Sequence, residues 1–166
     1  MTRMMNLLMV GILKSWSEYY GNHQAVSVAV RFIHLVGLVL GGGTALFIDR
    51  QVLRAARGNE EEKHEALRYL RNAHALVIPW LATLGITGIL MTAADTETFL
   101  VSRVYWIKMA VVALLAVNGG VLLLAEKRVM QLGAAKTWSR LVTVSTISFL
   151  LWIGALLMGI LLTVAA

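Results

Sequence analysis

The segment RFIHLVGLVLGGGTALFIDR, residues 31–50, sets two ionisable side chains, Arg31 and His34, in an apolar run whose next charge is Asp49. A third such group, Lys108, opens the apolar run YWIKMAVVALLAVNGGVLLL. Ionisable groups among lipid tails are costly and mark functional sites by default. An imidazole beside two cations has the donors for a haem iron or metal ion, with carboxylates or phosphates held alongside. The bland alternative for His34 is a neutral ring bonded to a carbonyl, Ser or Thr of a neighbouring helix. For Arg31 and Lys108 it is snorkelling to the headgroups.

The elements that must position these groups follow from composition. Of 166 residues, 58% are apolar and only 14% charged, against about 25% charged in soluble domains. Mean hydropathy is +0.74. Four stretches, near 26–48, 73–93, 104–125 and 141–164, reach the ~20 apolar residues that cross a bilayer. The expected fold is all-α: an integral membrane four-helix bundle (26–166), preceded by an interfacial helix over 1–25. That leading segment resembles a signal peptide but has no small-residue cleavage site, and Trp16, Tyr19 and Tyr20 suit headgroup depth. Asn59 with Glu62 forms a capping box that opens the second helix, so a helical hairpin projects beyond the membrane. Pro79 is expected to kink that helix, and Gly133 marks the turn before the fourth span.

Ten of the 15 Lys and Arg lie between spans one and two or between spans three and four. The positive-inside rule places those connections in the cytoplasm and both termini outside a bacterial-type inner (plasma) membrane. The pI of about 10.1 therefore reads as topology signal and lipid contact rather than nucleic-acid binding. The absence of cysteine excludes thiolate metal sites and redox thiols.

Depth decides which groups can meet. With residues 40 and 115 at mid-membrane, His34 and Lys108 both sit ~9–10 Å toward the outside, at 1.5 Å per residue. His74 falls ~20 Å lower by the same count, too far to share an iron with His34. His64 reads as solvated, and His23 as external. Met91, Met109 and Met158 fall near the level of His34, where thioether and imidazole together suit Cu(I) or complete a His/Met haem. Methionine is equally a filler of gaps in apolar packing. Gly37, Gly41 and Ala45 form a small-residue stripe below His34, which serves close helix approach or leaves room for a flat ligand. Asn118, in mid-span three, can bond across helices.

The runs around Arg31 and His34, VIPWLATLGITGIL in span two and YWIKMAVVALLAVNGG in span three resemble the group of HemJ-type protoporphyrinogen oxidases and copper-resistance D membrane proteins. The likeness covers about residues 28–125. Arg31, His34, Pro79, Gly88 and Lys108 fit the places where HemJ-type proteins carry a basic residue, a histidine, a proline, a glycine and a lysine. The resemblance implies that His34 is a haem or porphyrin ligand, with Lys108 at the same site. The chain departs from the pattern at Asn118, where a second histidine is expected.

Three functions follow as expectations. The first is a redox protein binding haem b, or a related porphyrin, near the outer face, with His34 as axial ligand, Arg31 and Lys108 on the propionates, Asn118 in the second ligand's place, and quinone or porphyrin as reaction partner. The second is copper handling by His34 with Met91, Met109 and Met158. The third is an accessory subunit of a larger membrane complex or homo-oligomer. No Ser–His–acid arrangement is visible in the spans. With Asp49 read as the end of span one, the spans hold no acid of the kind an ion pump uses.

Overall fold

The computed structural model describes the backbone of residues 2–165 and the side chains of residues 10–133 and 137–164. Helix α1 (Thr2–Asn22) precedes a first span made of α2 (Gln24–Gly37), a π-helical turn (Leu38–Gly42) and α3 (Gly43–Ala55). The long α4 (Glu60–Ala94), the short α5 (Thr96–Val101), α6 (Arg103–Leu132) and α7 (Ala134–Ala165) follow, with no strand among the described residues. Four helices, Gln24–Ala55, Glu60–Ala94, Arg103–Leu132 and Thr137–Val164, are long and apolar enough to cross a membrane. The fold is the expected all-α four-helix bundle.

Local chemistry sets the helix ends. Asn59 Oδ1 accepts from the Glu62 N–H at 2.9 Å, and Glu62 Oε2 accepts from the Asn59 N–H at 3.1 Å, completing the capping box. Glu60, Glu61 and Glu62 fill the first turn of α4, where acidic groups meet the positive end of the helix dipole. At 35 residues and 1.5 Å per residue, α4 is about 52 Å long, well beyond the ~30 Å hydrocarbon core. Its surplus is the charged stretch that starts at Glu60. Pro79 lies inside this single continuous helix on an exposed face. Gly133, between α6 and α7, has φ +86°, a left-handed conformation that a side chain disfavours.

The four spans share one packed core at the end of the bundle that carries the α3–α4 and α6–α7 turns. Ile48, Val52 and Ala55 of α3 meet Leu70 and Ala73 of α4, Ala125 and Val129 of α6, and Trp138 and Leu141 of α7. Toward the opposite, α5 end the arrangement changes. There α2 packs on α4 and α1, while α6 packs on α7, and no extensive contact joins α2 to α6 or α7. Helix α1 is tied to the same end of α4: Trp16 Nε1 donates to the Leu90 carbonyl at 2.9 Å, and Ser17 Oγ to the Ala94 carbonyl at 2.7 Å. Large apolar side chains such as Phe32, Val39, Ile89, Val117 and Ile160 remain exposed on the outer faces, a surface suited to lipid.

The π-helical turn marks the crossover between these two regimes. An α-helix turns successive residues 100° apart, yet Gly41 and Gly42 are both buried against different helices. A Cβ built on Gly41 would stand 2.8 Å from Trp80 Cβ of α4, and one on Gly42 3.0 Å from the Trp152 ring of α7. The first span thus passes from packing on α4 to packing between α4 and α7.

Candidate functional site

His34 projects from α2 toward α4. Its Nδ1 lies 2.8 Å from Thr87 Oγ1, and Thr87 Oγ1 lies 2.7 Å from the Thr83 carbonyl four residues earlier. A threonine hydroxyl has one hydrogen. When Thr87 donates it to the Thr83 carbonyl, it accepts from His34, and the imidazole then carries its proton on Nδ1. That tautomer leaves a lone pair on Nε2, and the Leu84 carbonyl of α4 also lies against the ring. Thr87 itself is 5% exposed, so packing holds the acceptor in place. Gly88 follows it, and a Cβ there would meet His34 Cε1 at an ordinary 3.7 Å.

Lys108 of α6 is half-buried and within electrostatic reach of the His34 ring. The depth count from the sequence expected these two groups at one level. Arg31, one turn along α2, is exposed. Met91, one turn beyond Thr87 on α4, and Met109 and Met158 are half-buried. No group of three or more His, Cys, Asp or Glu side chains able to hold a metal occurs among the described residues. A metal at His34 would therefore need the thioethers, an exogenous ligand or the four nitrogens of a porphyrin.

Other expected residues serve different neighbours. Asn118 Nδ2 donates to the Val144 carbonyl of α7 at 3.2 Å in the buried interior, the interhelical bond its position suggested. The Gly37 and Gly41 stripe is taken up by packing. A Cβ on Gly37 would stand 3.2 Å from Leu84 Cγ of α4, so these glycines set the α2–α4 distance that brings His34 to Thr87. His74 lies thirteen residues from Thr87, ~20 Å along α4, and faces Glu126 of α6 at 3.5 Å. His23 Nδ1 is bonded to the Tyr19 carbonyl at 2.9 Å, and its ring stacks on Tyr19.

Two buried acids escaped the sequence reading. Asp49 is 1% exposed, and Glu126 of α6 is 5% exposed. Asp49 stands one place before Arg50, which made it look like the solvated end of span one. The signal that could have found it is its helical spacing with the apolar pair Val52 and Ile48, the face α3 buries. Glu126 lies beside Lys127 and Arg128 and gives no such signal.

Comparison of the chain with protein-family models, curated proteins and solved structures gives no match.

Proposed function

We propose that this chain is an integral inner-membrane protein that binds haem b, or a related porphyrin, through His34 Nε2. The observation that carries the reading is the 2.8 Å contact of His34 Nδ1 with Thr87 Oγ1; with the proton on Nδ1, the other nitrogen is available as a ligand. Imidazoles bound to metals characteristically donate their second N–H to such an acceptor, which fixes ring orientation and tautomer. Lys108 supplies a cation near the ring for a propionate, and Arg31 a second one a turn away along α2.

When bound, the haem supplies one-electron chemistry, and the protein sets its potential through the axial ligand, burial and nearby charge. His34 holds the group, Thr87 orients His34, and Lys108 balances negative charge. Quinone or porphyrin is the reaction partner that fits a lipid-facing redox site. The basic connections at the core end favour a cytoplasmic position for that end, with both termini outside, by the positive-inside rule.

The test is an oxidised-minus-reduced absorption spectrum of the purified protein. A Soret band is expected, and His34→Ala abolishes it. An undiminished band in that variant would remove His34 from the site. The half-buried Met91, on the Thr87 face of α4, supports copper as a second reading, with Met109 and Met158. Stoichiometric copper without porphyrin would establish it. A colourless, metal-free protein that co-purifies with a fixed set of chains would point instead to an accessory subunit.

A further inference from the structure

The end of the bundle that holds the shared core also holds an open groove of about 520 Å³. It lies between the charged start of α4 and the last turns of α6, two helices that share little surface. Small-molecule sites occupy roughly 300–1,000 Å³. Part of the lining is apolar: Leu67 of α4, the buried Val129 and the exposed Met130 of α6.

The polar lining is unbalanced in charge. Lys63, Arg68 and Arg71 line the groove together with a single acid, Glu60. Glu60 is already matched, with its Oε1 at 2.7 Å from Lys63 Nζ. Arg68 stands 3.9 Å from Glu65, and both side chains are more than half exposed, a pair worth little in water. Arg71 makes no ion pair among the described residues. The two arginines are three residues apart, so they are neighbours on one side of α4. Their planar guanidiniums match the oxygens of a phosphate two at a time.

Depth and lining narrow the choice of anion. The apolar part of α4 begins near residue 73, so Arg71 and Arg68 stand ~3 and ~8 Å beyond it, at 1.5 Å per residue. That is the headgroup layer, roughly 5–8 Å thick on each side of the hydrocarbon. A free phosphate would meet the arginines and leave the apolar lining unused, whereas a phospholipid meets both. A zwitterionic headgroup would bring its own cation against the arginines, so the excess of positive charge selects an anionic one.

We infer that Arg68 and Arg71 bind the phosphate of an anionic phospholipid in the groove between α4 and α6, with Leu67, Val129 and Met130 against its apolar part. Basic pockets between spanning helices are a recurring form of headgroup recognition. The lipid joins two helices that pack poorly on each other and so stabilises the fold. It lies at the opposite end of the bundle from His34 and is independent of any group there.

The test uses the full chain purified in an uncharged detergent. Its thermal unfolding is followed during titration with phosphatidylglycerol, with phosphatidylcholine of the same acyl chains, and with sodium phosphate. A ligand that binds only the folded state raises the unfolding temperature with its concentration. A saturating rise in Tm is expected with phosphatidylglycerol alone. Arg68→Gln and Arg71→Gln should each need about tenfold more lipid for the same rise, the weight of a lost charge-assisted hydrogen bond. Arg128→Gln, which removes the same charge from the same end of α6 outside the groove, should behave as the parent does. An equal rise with phosphatidylcholine overturns the proposal, and so does an equal rise with sodium phosphate, which would make the site one for free phosphate. Equal weakening in Arg128→Gln also overturns it, because general surface charge would then be the cause. Arg71 also acts on Glu126; if Arg71→Gln does not fold, Arg68→Gln decides, and an unchanged lipid dependence there overturns the proposal. Loss of the Soret band in His34→Ala leaves these outcomes unchanged, so the two sites fail separately.

Discussion

His74 Nδ1 of α4 lies 3.5 Å from Glu126 Oε2 of α6, a contact between two helices that otherwise share little surface. The Glu126 side chain is 6% exposed, so its carboxylate depends on nearby charge. Arg71 and Lys127 act on it as well, which moderates the effect of losing the imidazole. His74→Ala is expected to destabilise the protein by about 1–3 kcal/mol, the range for leaving a buried polar group unsatisfied. Glu126→Gln in the same background should recover part of that loss, because the uncompensated charge is gone. Thermal unfolding of the two single variants and the double variant checks this as a cycle. Strictly additive effects would show that the pair is not coupled.

Thr87→Val keeps the shape of the side chain and removes the acceptor of the His34 N–H. The ring then loses what fixes its tautomer, and Nε2 no longer has an assured lone pair. Loss of such a supporting partner typically lowers metal affinity 10–100-fold. Titration of purified apoprotein with haem is expected to show a weakening of that order. Thr87→Ser, which restores the hydroxyl, should bind as the parent does. Unaltered haem affinity in Thr87→Val would mean that the hydrogen bond serves packing alone.

The contrast between what sequence predicts and what it leaves hidden is physical. Local signals sufficed for Asn59 and Glu62, three residues apart, and for Gly133, whose positive φ belongs to a turn. Span positions followed from hydropathy. Features that depend on which helix faces which did not follow. The π-helical turn answers to Trp80 and Trp152 meeting adjacent glycines from two sides. Asp49 looked solvated beside Arg50, because only the position of α7 makes its face an interior one. The partner of His74 stayed hidden for the same reason: Glu126 is distant in sequence and adjacent only after packing.

Two glycine substitutions separate close packing from lipid exposure. Gly41→Ala places a methyl group 2.8 Å from Trp80 Cβ, a distance that real side chains do not tolerate, and the nearest atoms belong to the rigid start of a side chain. Either α2 moves away from α4 or Trp80 shifts its backbone. Overpacking of this kind costs about 1–3 kcal/mol, so a lower Tm is expected. Gly85→Ala, on the exposed face of α4 with nothing within 4 Å of the added carbon, removes only glycine's backbone freedom. It should be neutral or stabilising by up to about 1 kcal/mol. Because Gly41 also helps set the distance at which His34 reaches Thr87, Gly41→Ala should weaken haem binding in the same titration, whereas Gly85→Ala should not. Equal behaviour of the two variants would mean that α2 and α4 do not approach through Gly41, and the orientation assigned to His34 would lose its support.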